Sequence, residues 1–230
     1  MIEDDKVNTR PKVRTRDRIL IASLALFNDK GLDRVTTAEI ARSVAINEGN
    51  LYYYFKTKEA LLRALFEGLE ADASVLMSAT SSNTATNPGI FSDFMQQWFS
   101  IVWKHRYIFR DLPGILATAP SLREPIRALS TGMRVVVDTT LHQMKDAKLI
   151  DVSDEDASDL LANVWIVSTY WAVYLSLQVG IDVLEPEHLD WGLKQVASLF
   201  KPYLSDAAKT ELQAMVGRSF AQTAGLMPIG

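Results

Sequence analysis

The stretch Thr36-Thr37-Ala38-Glu39-Ile40-Ala41-Arg42-Ser43-Val44-Ala45-Ile46-Asn47-Glu48-Gly49-Asn50-Leu51-Tyr52-Tyr53-Tyr54-Phe55 decides the fold. Thr36 is a helix N-cap, and Glu39 three residues on can reach back to it, which makes a capping box. The helix it opens carries Ile40, Ala41 and Val44. A short break follows near Ala45-Ile46. Asn47 then caps a second helix, Glu48 to Phe55. Leu51 and Phe55 stand one turn apart and hold that helix to its own domain. Tyr52, Tyr53 and Tyr54 are left facing outward. Three adjacent exposed rings leave much apolar area in water, so the pattern marks a surface that something else uses.

On the N-terminal side, a helix is predicted from about Arg14 to Lys30, with Ile19, Ala22, Leu26 and Phe27 on one face and Gly31 as its stop. On the C-terminal side, Thr57 caps a fourth helix that carries Leu61, Leu62, Leu65, Phe66 and Leu69 to about Ser78. Three short helices and a longer one make the helix-turn-helix layout. The polar run Ser81 to Gly89 reads as a loop. Beyond it, Phe91, Phe94, Met95, Trp98, Phe99 and Val102 keep helical spacing, and Pro113-Gly114 and Pro120 cut the chain into short pieces. Further helices are expected from Ser121 to about Lys148, from Ser153 to about Gln178, from Pro186 through Tyr203, and from Ser205 to Val216. The fold class is all-α, with residues 1–60 as an N-terminal helix-turn-helix domain and 61–230 as a larger helical body.

The formal net charge of −4 argues at first against a polyanionic partner, but its distribution reverses that reading. Residues 1–63 hold 12 Lys+Arg against 9 Asp+Glu, net +3, and the remainder holds 12 against 19, net −7. Lys6, Arg10, Lys12, Arg14, Arg16 and Arg18 form a basic arm with Asp17 as the acid among them. Such an arm ahead of an acidic body suits a protein that presents one end to nucleic acid. The chain has no cysteine, which excludes disulfides, thiolate metal sites and a cysteine nucleophile. Its first residues have no apolar run, so no signal peptide is expected and a cytoplasmic location is.

Leu160 to Ile181 contains no charged residue and is long enough to cross a bilayer. Asn163, Ser168, Thr169, Ser176 and Gln178 interrupt it, and Asp159 and Asp182 flank it without a nearby cation to set orientation. A helix apolar all round can instead be buried twice, in its own core and against a second subunit. No membrane association is expected. A homodimer through helices at about 154–178 and 187–203 is.

In a helix-turn-helix the second helix enters the major groove with its N-terminal residues toward the bases. Asn47 and Glu48 begin that helix here. Asn50 can pair with adenine in two hydrogen bonds, Glu48 can accept from a cytosine amine, and Gly49 lets the backbone come close. Thr36, Thr37, Tyr52, Tyr53, Tyr54, Lys56 and Lys58 are placed to meet phosphates, with Arg14 and Arg16 from the arm. Taken singly, an Asn is usually a cap, a Tyr core and a Lys solvated. Their combination in one short stretch carries the reading.

The run from Thr36 through Leu61 closely resembles the signature of the TetR family of bacterial regulators. The resemblance implies a homodimer, a palindromic double-stranded DNA operator, repression as the usual outcome, no enzymatic step, and a small-molecule effector in the C-terminal body. Arg106 to Leu112 and Ala119 to Leu122 resemble one subgroup of that family. The chain departs from the family pattern at Tyr54, where His is usual, and at Ala45-Ile46, where Gly-Val is usual.

The body is rich in aromatic residues. Phe94, Trp98, Trp103, His105, Tyr107, Trp165, Thr169 and Trp171 are candidates for an effector pocket of apolar or aromatic preference, and filling the core is the alternative for each. His105, His142 and His188 are scattered, and no HExxH, phosphate-binding glycine loop or nucleophile elbow is present. No enzyme activity, cofactor or metal is expected.

Overall fold

A computed structural model describes residues 14–81, 89–181 and 183–217. Lys6, Arg10 and Lys12 of the basic arm, most of the polar loop after Ser81, and Asp182 lie outside the described residues.

The first helix, α1 (Thr15–Lys30), buries Ile19, Ser23 and Phe27 at successive turns, with Asn28 beside them. Gly31 ends it at φ +85, a conformation open to glycine, and its N–H returns to the Phe27 carbonyl at 3.0 Å. Thr36 caps α2 (Thr37–Ser43), its hydroxyl accepting from the Glu39 N–H at 3.2 Å. The Glu39 carboxylate is taken by Lys30, with Nζ and Oε1 2.5 Å apart. After α2 the Ala45 N–H reaches the Arg42 carbonyl and the Ile46 N–H the Ala41 carbonyl, a Schellman closure. Asn47 caps α3 (Glu48–Tyr54), its side chain accepting from the Asn50 N–H at 2.7 Å.

Next, α4 (Lys58–Ser81) runs unbroken from the first domain into the body. The residue 60/61 boundary read from sequence therefore falls inside a continuous helix. The body adds α5 (Ile90–Lys104), the short α6 (Arg106–Arg110) and α7 (Leu112–Thr118), a 3-10 turn (Pro120–Leu122), α8 (Arg123–Asp146), α9 (Asp154–Tyr174), α10 (Pro186–Phe200) and α11 (Asp206–Val216). A π-helical turn, Leu175–Val179, prolongs α9. The expected all-α architecture is what the described residues show, apart from one isolated antiparallel bridge, Ile150 to Leu204.

Two hydrophobic cores form among the described residues. The larger joins α5, α8, α9, α10 and α11. The smaller contains Ile19, Phe27, Ile40, Leu51, Phe55, Leu62 and Phe66, and it is completed by Tyr107, Ile108, Ile115, Ala119 and Leu122 from α6, α7 and the 3-10 turn. Part of the body thus finishes the core of the N-terminal domain.

Trp171 of α9 is buried against α10, where a side chain on Gly192 would place Cβ 2.8 Å from the indole Cδ2. Only glycine lets the two helices approach around that ring.

Candidate nucleic-acid interface and internal cavity

Leu51 and Phe55 are buried and fix α3 by one face. The opposite face carries Gly49, Asn50, Tyr52, Tyr53 and Tyr54 into solvent, with Tyr53 80% exposed. Tyr53 and Tyr54 meet edge to face at 5.2 Å between centroids, which holds both rings upright. Thr37 ties α2 to α3, its hydroxyl donating to Glu48 Oε1 at 2.5 Å and lying 3.2 Å from the Tyr52 hydroxyl. One Glu48 oxygen is therefore engaged within the protein. Arg14 is exposed at the start of α1, and the Arg16 guanidinium lies over the Phe55 ring at 5.4 Å. Asn47, Lys56 and Thr36 are exposed as well.

Lys58 is placed differently from the expectation. Its ammonium donates to the Leu32 carbonyl at 2.7 Å and the Val35 carbonyl at 3.0 Å, above the Phe27 ring. Those carbonyls lie in the loop between α1 and α2, outside any helix, and a cation is a natural partner for them. Burial lowers the Lys58 pKa, partly opposed by the charge of Asp33. Its first role is to join α4 to the loop before α2.

Inside the body lies a cavity of about 550 Å³. Its lining is largely apolar, with Phe91, Phe94, Met95, Trp98, Phe109 and Phe200, and α4 contributes Phe66 and Leu69. The volume falls within the roughly 300–1,000 Å³ usual for small-molecule sites. Of the residues expected to form a pocket, Phe94, Trp98, Trp165 and Thr169 line it. The other four do not. Trp103 stacks under the Arg106 guanidinium at 4.1 Å. Trp171 packs under α10, its indole N–H buried without an acceptor. Tyr107 belongs to the smaller core beside Phe27, and burial pushes its phenol pKa up.

His105 sits at the junction of α5 and α6, where burial lowers its pKa against the opposing pull of Asp72. Burial works to raise the Asp72 pKa, but hydrogen bonds from His105 and Lys104 outweigh it and leave it lowered. His105 Nε2 lies 2.7 Å from Asp72 Oδ2, to which it donates.

Sequence reasoning missed Arg127, Ser130, Arg134 and Ser168 in the cavity lining. A signal existed for two of them, since Arg127 and Arg134 are seven residues apart and share a helix face. It also missed Asn28. That buried side chain donates from Nδ2 to the Lys104 carbonyl at 2.8 Å and accepts at Oδ1 from the Tyr107 N–H at 2.9 Å. Arg110 adds bonds to the Asn28 and Asp29 carbonyls. The end of α1 is thereby fastened across the α5–α6 junction, while Ile108 and Phe109 of α6 line the cavity.

Comparison with known proteins places this geometry. Residues 19–65 match the family described as bacterial regulatory proteins, tetR family, and residues 70–212 match the one described as bacterial transcriptional repressor. The chain is similar to the nucleoid occlusion factor SlmA of Haemophilus influenzae, 28% identical over 114 residues that cover 49% of this chain and 52% of that protein. It is likewise similar to the probable HTH-type transcriptional regulator YttP of Bacillus subtilis, 30% identical over 108 residues, 44% of this chain and 52% of that one. These matches span about half the length of the curated relatives. Among solved structures, a TetR-family transcriptional regulator from Marinobacter aquaeolei superposes with a TM-score of 0.76 at 29% identity, covering 89% of this chain and 98% of that chain.

Proposed function

The chain belongs to the TetR family of DNA-binding transcriptional regulators, and from that premise we propose a cytoplasmic homodimer on a palindromic operator, with repression relieved or modulated by a small apolar or aromatic effector in the body cavity. Regulators of this family have no enzymatic step. The observation that carries the reading is the outward face of α3. Asn50 and Gly49 stand exposed beside three exposed tyrosines, on a helix held from behind by Leu51 and Phe55. Gly49, Asn50 and the remaining oxygen of Glu48 are the base readers. Arg14, Arg16, Thr36, Thr37, Asn47, Tyr52, Tyr53, Tyr54 and Lys56 set position on the phosphates, and Lys58 supports them from behind.

The dimer is supported by α9. Ile166, Tyr170, Tyr174 and Leu177 recur at helical spacing along it, all exposed. Tyr174 stacks on Trp191 of α10 at 5.5 Å with planes 10° apart, so the two helices share one face. By length and composition the helix Asp154–Val179 can cross a membrane. It lies within the matched family region, and a second copy of itself satisfies the same apolar stripe.

Selection of duplexes from a random pool tests the whole reading. The expected product is a palindrome whose half-sites lie about one helical turn apart or slightly further. Selection of no sequence, or of an asymmetric single site, contradicts it.

A further inference from the structure

Among the described residues, two charged side chains line the cavity, and both are cationic. Arg127 and Arg134 stand on one face of α8, both exposed, and Ser158, Ala162 and Trp165 of α9 are exposed members of the same lining. Arg127 has only a loose contact with Glu124, 3.8 Å away and as exposed as itself. Arg134 has no ion-pair partner among the described residues. Ser130 and Thr131, between them in sequence, also line the cavity, and no carboxylate among the described residues does. The lining thus joins buried apolar rings and the buried hydroxyl residues Ser168 and Thr169 to an exposed pair of cations on α8. Guanidinium groups match carboxylate and phosphate oxygens in paired hydrogen bonds. At roughly 30 Å³ for each water-sized group, about 550 Å³ holds on the order of 15–20 non-hydrogen atoms.

We propose that the cavity takes an amphipathic anion, with an apolar body of that size inside and a single anionic head on Arg127 and Arg134 of α8. The assignment rests on the cavity being the effector site and adds the chemical class of its ligand. A neutral ligand of the same shape gains nothing from the arginines, and a cation is repelled by them.

Dodecanoate, dodecanol and dodecylamine share one tail and differ in the head. The full chain is titrated with each, by calorimetry and by the fluorescence of Trp98 and Trp165 in the lining. Dodecanoate is expected to bind at least about ten-fold more tightly than dodecanol, with dodecylamine weakest. In the double variant Arg127→Gln/Arg134→Gln, dodecanoate should fall to the affinity of dodecanol, and dodecanol should be unchanged. Both side chains are exposed, so unaltered circular dichroism is expected and checks that the fold is intact. Dodecyl phosphate binding above dodecanoate supports the anion class and identifies the head as a phosphate. Equal affinity for dodecanol and dodecanoate, preference for the amine, or a ten-fold carboxylate preference retained by the double variant each overturns the anion assignment and leaves the effector cavity standing. Binding of none of the probes overturns both.

Discussion

Ala45 holds a left-handed backbone at φ +54 in the turn between α2 and α3. An L-residue there pays roughly 1–2 kcal/mol, and the turn is kept because the Schellman bonds to Arg42 and Ala41 close only in that conformation. Glycine, usual at this point in the resemblance read from sequence, removes the strain and adds back about 0.5–1 kcal/mol of chain entropy cost. Ala45 is exposed, so its methyl forfeits little packing. Ala45→Gly should raise stability by about 0.5–1 kcal/mol, seen as a higher urea midpoint at constant slope. A lower midpoint would show that the turn is not strained. The roles along α3 separate at the same scale. Asn50→Ala should relax preference at one base position, whereas Lys56→Ala should weaken all sequences alike and reduce the salt slope by about 1. Two variants with the same profile would refute that division of labour.

Between elements, Asn28 binds the end of α1 to both sides of the α5–α6 junction. The same α6 supplies Ile108 and Phe109 to the cavity wall, so under the proposed function a ligand that shifts α6 would pull on the helix preceding the DNA-reading motif. Asn28→Ala strands the buried Tyr107 N–H and should cost about 1–3 kcal/mol. It should also leave effector and DNA binding present separately while shrinking the effect of one on the other. Full retention of that coupling in gel-shift titrations would remove this joint from the route. The joint was invisible in the sequence for a physical reason. Caps, stops and the anchors Leu51 and Phe55 are local, and one turn of chain suffices to read them. The partners of Asn28 lie 76 and 79 residues away. Trp171 was misplaced for a similar reason, because its surroundings depend on Gly192 of another helix. Lys58 was assigned to phosphate since nothing nearby in sequence shows the carbonyls that claim it.

Across the whole molecule, the apolar face of α9 and α10 is the test of assembly. Tyr170→Glu places a charge on an exposed residue of that face, outside the cavity lining, which an isolated subunit tolerates and a packed interface does not. Sedimentation should show a folded monomer, with DNA affinity lost along with the second recognition helix. A dimer unchanged by Tyr170→Glu would move the interface elsewhere. Trp171→Glu is no substitute, because the indole lies inside the subunit and its loss should unfold the body regardless of assembly. The two-sided burial read from sequence for this helix divides accordingly. Trp171, Ala172 and Leu175 face inward, and Ile166, Tyr170 and Tyr174 face out.

Building hybrid regulators, in which one protein's reading head is grafted onto another's sensor, is constrained by where the smaller core ends. A cut after residue 60 severs α4 three residues into the helix and strips the head of Tyr107, Ile108, Ile115 and Leu122. The transplantable unit is therefore discontinuous. A graft from this chain has to carry the segment from Arg106 to Leu122 along with the N-terminal helices, or the recipient has to supply side chains of the same shape to seal the exposed seam.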